Sequence, residues 1–104
     1  MSINRRNETR IPIRVPIRFR PITIPSSGEE VGESENLSQR GIFMRTSYPL
    51  AVGTQIELAM TMPYEVTEGA ADVHCTARVV HVQQGTLLAK SGVGLHIEQY
   101  RIWP

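Results

Sequence analysis

The feature that most constrains the fold is a set of short segments in which apolar and polar residues alternate with period two. The clearest segment covers residues 11–19, where the apolar positions are Ile11, Ile13, Val15, Ile17 and Phe19. This alternation places every second side chain on one face, as in a half-buried β-strand. The β-branched residues on that face favour a strand over a helix. The same pattern returns in residues 54–62 and 71–79.

Turn-forming residues separate these segments, and no stretch of ten or more residues shows a helical period. Further short strands are predicted at residues 29–35, 41–46 and 87–97. The alternation slips at Val80-His81-Val82, which indicates a β-bulge or burial of both faces. Several short strands joined by glycine and proline turns predict an all-β barrel or sandwich. Closure into a barrel would also remove exposed sheet edges.

The length of the chain, 104 residues, allows one hydrophobic core and therefore predicts one domain. Cys75 is the only cysteine, so no internal disulfide can form, and a reducing, cytoplasmic compartment is expected. No apolar run is long enough to span a membrane, and the N-terminus lacks the apolar segment of a signal peptide. We therefore expect no membrane insertion.

The charge of the chain is unevenly distributed. The net charge of +1 argues against binding to a nucleic-acid polymer. Residues 1–20 nevertheless contain six arginines and one acid, Glu8, whereas residues 29–35 contain four glutamates and no base. A basic cluster near a terminus is, taken alone, most often a solvated arm. The local basic character suits a small anionic ligand or a limited patch.

The sequence contains no constellation typical of an enzyme. His74, His81 and His96 share no metal-ligand spacing. Cys75 lies on the apolar side of its predicted strand, where a buried, inert thiol is expected rather than a nucleophile. No glycine-rich phosphate-binding motif occurs. We therefore expect no catalytic residue, no metal and no resident cofactor.

Two short motifs together predict a binding site. They are Arg6-x-x-x-Arg10 and Asn36-x-Ser38-x-x-Gly41, and a hairpin-like return of the chain would bring the second beside the first. The planar fork of arginine can bind guanine O6 and N7, or a phosphate, with two hydrogen bonds. Asn36 can accept a hydrogen bond from a guanine N–H, and Ser38 can donate or accept a hydrogen bond at a nearby edge. Gly41 permits a sharp turn of the backbone or its close approach to the ligand. This chemistry suits a phosphorylated guanine ligand.

On these two motifs, in this order and on an all-β pattern, the sequence resembles the PilZ domain family, the bacterial receptor module for cyclic di-GMP. The likeness covers about residues 5–98 and includes Gly41-Ile42-Phe43-Met44 and Gly94-Leu95-His96-Ile97. It implies a six-stranded antiparallel β-barrel of PilZ type. The expected parts are a flexible basic arm at residues 1–10, a barrel at residues 11–98 and a tail at residues 99–104. The tail is too short for the C-terminal helix usual in the family, so little or no helix is expected there.

The resemblance also implies roles for the motif residues. Arg6 and Arg10 would bind guanine and phosphate, while Asn36, Ser38 and Gly41 would line the guanine pocket. The expected function is a cyclic di-GMP sensor that orders its arginine arm on binding and signals to an unknown effector protein.

Arg5 directly precedes the arginine motif. In the family, an arginine at this position accompanies a stacked pair of ligand molecules, so the resemblance implies two cyclic di-GMP molecules per domain. Whether identical chains assemble into an oligomer stays open.

Two other functions compete with this interpretation. A degenerate barrel of the same type could act as a protein-interaction adaptor without binding a nucleotide, although the intact motifs count against it. A small barrel that binds single-stranded RNA would need aromatic stacking platforms among its basic residues. The chain has six aromatic residues, and Phe19, in the basic N-terminal region, lies on the inward side of its strand.

Overall fold

The predicted all-β barrel is confirmed, and it is a closed barrel of six antiparallel strands. A computed structural model of the protein describes residues 12–22, 28–62, 71–87 and 89–103, with side chains for all of these except residues 71 and 100–103. In chain order the strands are β1 (Pro16–Pro21), β2 (Glu30–Leu37), β3 (Gly41–Thr46), β4 (Gln55–Met62), β5 (Ala71–Gln83) and β6 (Ser91–Trp103). Around the barrel they follow the order β1-β2-β3-β6-β5-β4.

The inward face of each strand supplies the core, as the period-two alternation predicts. Val15, Ile17 and Phe19 are buried, and Ile13 packs against the core while half-buried. Ile11 lies outside the described residues. The other buried apolar side chains are Leu37, Ile42, Met44, Ile56, Leu58, Met60, Met62, Val73, Cys75, Ala77, Val79, Val93 and Leu95. No helix in the described part of the chain is long and apolar enough to cross a membrane.

Strand boundaries differ from the prediction, most of all at the start of β1 and at the end of β6. β1 begins at Pro16 and not at residue 11, and a proline is tolerated at the first position of a strand because no earlier ladder bond needs its N–H. β6 continues through Trp103, so residues 99–103 extend the pairing with β5 and do not form a tail. The partner strand decides this boundary, because β5 offers Asp72–Thr76 as pairing positions for this segment of β6.

Register shifts interrupt the ladders at three points. The predicted slip near Val80 is present, since the pairing of β5 with β6 shifts between Val79 and His81. A second shift lies between Thr76 and Ala77 in the same ladder. The third lies between Ser34 and Asn36 in β2, where the sequence showed no parity change among apolar residues. This last bulge determines the geometry of the candidate site.

Cys75 is the buried thiol that the alternation predicted. It faces the core, and burial raises the pKa of its thiol from 9.0 to about 11. A shift of this size lowers the thiolate fraction about 100-fold at neutral pH, and the thiolate is the reactive form. We therefore expect a thiol-specific chromogenic reagent to modify Cys75 at least 100-fold more slowly in the native protein than in urea. Equal rates in the two conditions would contradict the buried placement.

Candidate ligand-binding site

Ser38 and Gly41 close the connection between β2 and β3 with reciprocal hydrogen bonds. The Ser38 amide donates to the Gly41 carbonyl at 2.9 Å. The Gly41 amide donates to Ser38 Oγ at 3.1 Å, and the Ser38 hydroxyl donates to the Gly41 carbonyl at 3.3 Å. The serine of the Asn-x-Ser-x-x-Gly motif therefore shapes the loop itself, in addition to any contact that it makes with a ligand.

Gly41 is required by close packing against β6. A Cβ atom at this position would lie 3.3 Å from the Leu95 carbonyl oxygen and 3.6 Å from Ser38 Oγ. This approach to the backbone of β6 is a reason for the glycine that the sequence did not suggest, and the expected close approach to a ligand stays a prediction. The preceding residue, Arg40, is also bonded to β6, because the Ile97 amide donates to the Arg40 carbonyl at 2.8 Å.

The bulge in β2 determines where Asn36 points. Ser34 and Leu37 are both buried although they lie three residues apart, which a regular strand does not allow. Glu35 is the extra residue. Asn36 is therefore displaced from the inward side and lies opposite Phe43, whose strand neighbours face the core. In an unbulged strand Asn36 would share the inward side with Ser34.

An ion pair holds the bulged residue. Arg45 Nε lies 3.2 Å from Glu35 Oε1, and the Arg45 guanidinium carbon lies 5.2 Å from the centre of the Phe43 ring. Gly92 makes room for that ring, since a Cβ atom there would lie 2.5 Å from its tip. Arg45 thus offsets the negative charge of Glu35 beside Asn36, where an uncompensated carboxylate would repel a phosphate.

Ser34 is the residue at this site that the sequence did not single out. It accepts a hydrogen bond from the Val15 amide at 2.9 Å and donates to the Ile13 carbonyl at 2.6 Å. Its own amide donates to the Val15 carbonyl at 3.0 Å. One signal in the sequence could have identified it. Ser34 is a small polar residue within a run of glutamates, at a position that lies on the inward face once residues 30–37 are recognised as a strand.

The path of the N-terminal segment follows from these bonds. β1 and β2 are antiparallel, with Pro16 opposite Glu33 and Ile17 opposite Gly32. Residues 13–15 therefore run beside Ser34, and from Val15 to Ile13 they run in the direction of the Asn36 end of β2. Arg5, Arg6 and Arg10 themselves lie outside the described residues.

A separate polar surface lies across β1, β4, β5 and β6. On it, Arg20 Nε bonds Glu57 Oε1 at 2.6 Å. Glu98 accepts hydrogen bonds from Gln55 at 2.8 Å and from Arg78 at 3.1 Å, and the Gln55 bond, followed by Arg78, lowers the pKa of its carboxyl. The surface is an open groove that also reaches Gln39 and Arg40 of the β2–β3 loop. Three arginines and three glutamates line the groove, and this balance of charge suits a protein contact better than an anionic nucleotide.

Comparison with known proteins decides the family. The sequence model of the PilZ domain family matches residues 4–102, which is nearly the whole chain. The chain belongs to the PilZ domain family. The resemblance drawn from the two motifs is thereby confirmed. PilZ domains are binding modules. No curated protein matches the chain.

Solved structures similar to this PilZ domain share its fold. The Bacillus subtilis inhibitor of motility (MotI/DgrA) superposes with a TM-score of 0.75 and 21% sequence identity over 95% of this chain. The PilZ domain of CeSA from a cellulose synthesizing bacterium superposes with a TM-score of 0.61 and 20% identity, covering 88% of this chain and 82% of that one. This chain spans 45% of the length of the inhibitor. At these identities the likeness establishes the fold.

Proposed function

We propose that this PilZ domain is a cyclic di-GMP sensor that orders its arginine arm on binding and signals to a partner protein. The observation that carries the proposal is the anchoring of residues 13–15 on Ser34, on the part of β2 that leads to Asn36. Arg10 is three residues before Ile13, and three residues span at most about 11 Å. In this proposal, that short tether brings Arg10 to the Asn36 end of β2.

The roles of the site residues follow from their chemistry. Arg6 and Arg10 bind the guanine edge and a phosphate with charge-assisted, two-pronged hydrogen bonds. Asn36, turned away from the core by the bulge, accepts a hydrogen bond from a guanine N–H. Ser38 and Gly41 hold the loop against β6, so that the polar groups beside it keep one geometry. A rigid loop and a positively charged arm together favour a small dianionic ligand that bridges them.

Ordering of the arm is the signal in this proposal. An arm of polar and charged residues gains few apolar contacts of its own, so its ordering is offset by bonds to the ligand. The ordered arm, or the surface that it exposes, is then available to an effector protein. No catalysis, metal, nucleic-acid polymer or membrane insertion belongs to this mechanism, and a cytoplasmic location suits a chain with a single buried thiol.

Calorimetric titration with cyclic di-GMP tests the proposal directly. We expect saturable binding of cyclic di-GMP and no binding of GTP or of the linear dinucleotide, because neither can present two linked guanines to the arm and the loop in a closed ring. Because Arg5 precedes the motif, we expect two ligand molecules per chain. Saturation at one molecule per chain would refute the paired ligand, and absence of heat with cyclic di-GMP would refute the sensor.

The adaptor remains the second candidate. A similar solved structure is an inhibitor of motility, which is a regulatory role, and the open polar groove beside Arg40 offers a surface suited to a protein. A thermal-shift assay separates the two functions. A rise in melting temperature with cyclic di-GMP supports the sensor, whereas an unchanged melting temperature at millimolar ligand supports the adaptor.

A further inference from the structure

The side chain of Ser34 is polar and is buried in the barrel wall. Its relative exposure is 1%, and the neighbouring positions Glu33 and Glu35 are much more accessible. A buried hydroxyl is stable only when its donor and its acceptor are both satisfied. Here both are satisfied by the backbone of the segment that leads to the arm, at Ile13 and Val15.

These bonds continue the β1–β2 ladder beyond the last regular pair. Pro16 is the first residue of β1, and it has no N–H to donate. The Ser34 side chain takes over by bonding the Val15 amide and the Ile13 carbonyl, and the Ser34 amide bonds the Val15 carbonyl. The chain before the strand is therefore held at its backbone, although it is irregular in structure.

The same residue begins the bulge. The register shift follows directly after Ser34, and two residues later Asn36 lies on the other side of the strand. Ser34 thus bonds residues 13–15 through its inward hydroxyl. Asn36, two residues later, carries the displaced side-chain amide next to the polar loop. A movement of Ser34 would therefore change the distance between residues 13–15 and Asn36.

We propose that Ser34 is a positioning residue for ligand binding, which fixes the base of the arm so that Arg10 meets the ligand beside Asn36. This inference rests on the proposed function and deepens it. Ser34 touches no ligand in this scheme. It acts by restricting the directions that the arm can take from Ile13, which lowers the entropy lost when the arm is ordered.

The test compares two buried hydroxyls of the barrel. Ser34→Ala removes the anchor, and we expect affinity for cyclic di-GMP to fall at least fivefold. Thr46→Val is the matched control, because Thr46 is 0% exposed, donates to the Val31 carbonyl at 2.9 Å and accepts from the Tyr48 amide at 3.1 Å. Thr46 ends β3, whereas the loop containing Ser38 precedes it. We expect Thr46→Val to lower the melting temperature comparably and to change affinity less than twofold.

A double-mutant cycle separates positioning from general stability. If Ser34 acts through the arm, Ser34→Ala in an Arg10→Ala background changes affinity less than twofold, because the contact that it positions is already lost. The full fivefold loss in that background would overturn the inference. If Ser34→Ala does not fold, Ser34→Cys carries the same comparison, because it has a similar volume and only a weak donor.

The outcomes also distinguish this inference from the proposed function. A wild-type chain that binds no cyclic di-GMP overturns the proposed function and the positioning role with it. A wild-type chain that binds, together with a folded Ser34→Ala variant of unchanged affinity, overturns the positioning role alone.

Discussion

We expect Arg10→Ala to weaken the proposed binding of cyclic di-GMP at least tenfold, and Arg6→Ala to do the same. Loss of one two-pronged arginine–guanine contact typically costs roughly 1–3 kcal/mol, which is about 5–150-fold in affinity. Arg10 has the shorter tether to the anchored segment at Ile13, so its proposed contact with the loop residues is the more restricted of the two. Calorimetric titration of each variant against the wild-type chain measures the effect.

Arg18→Ala is the matched control for this experiment. Arg18 belongs to the same arginine-rich N-terminal region, is exposed on the outer face of β1, and has no ion pair among the described residues. The Arg18→Ala substitution removes the same charge from the chain at a position outside the arm. We expect its affinity to stay within threefold of the wild-type value. Unchanged binding in either arm variant would refute the assignment of that arginine to the site, and an equal loss in Arg18→Ala would show that general charge and not a specific contact is responsible.

Gly41→Val destabilises the barrel and impairs ligand binding together. The branched side chain would press on the Leu95 carbonyl, since a Cβ atom alone would already lie 3.3 Å from it. Overpacking of this kind typically costs about 1–3 kcal/mol. The loop can relieve the contact only by moving away from β6, which breaks the Ser38–Gly41 bonds and shifts Asn36. We expect a lower midpoint of urea denaturation and at least a tenfold loss of affinity for cyclic di-GMP.

Gly28→Val provides the comparison, because a Cβ atom at Gly28 would meet no atom within 4 Å. We expect this substitution to leave both the denaturation midpoint and the affinity almost unchanged. A Gly41→Val variant with normal affinity would mean that the loop geometry is not what the ligand requires. A variant with normal stability would mean that the approach of β6 is not restrictive.

Much of the fold could be predicted because it depends on local pattern. Residues 13, 15, 17 and 19 show their inward direction by alternation, and the same logic identifies Cys75 as a core residue. The ends of the strands were harder to predict. The extension of β6 to Trp103 depends on the length of β5, and the start of β1 depends on which residues find partners in β2 and β4. Pairing partners are distant in sequence, so no local pattern reveals them.

The candidate site shows the same division. The two motifs could be read from residue types, because guanine and phosphate recognition requires forked cations and amide acceptors. The loop half is now placed on the barrel, with Asn36 and Gly41 on adjacent strands. The arginine half stays a prediction, since Arg5, Arg6 and Arg10 lie outside the described residues.

By itself the sequence determined the class of fold, the buried face of most strands and the family, whereas the ligand that it suggests stays a prediction. Each of these depends on residue type and spacing, which are fully contained in the chain. Tertiary structure alone decided that Ser34 anchors residues 13–15, and that a bulge turns Asn36 away from the core. The physical reason is that the bonds of a buried hydroxyl and a shifted register are defined by partners outside β2. The partners of the Ser34 hydroxyl, Val15 and Ile13, are 19 and 21 residues away in the chain and become its neighbours only when β1 pairs with β2.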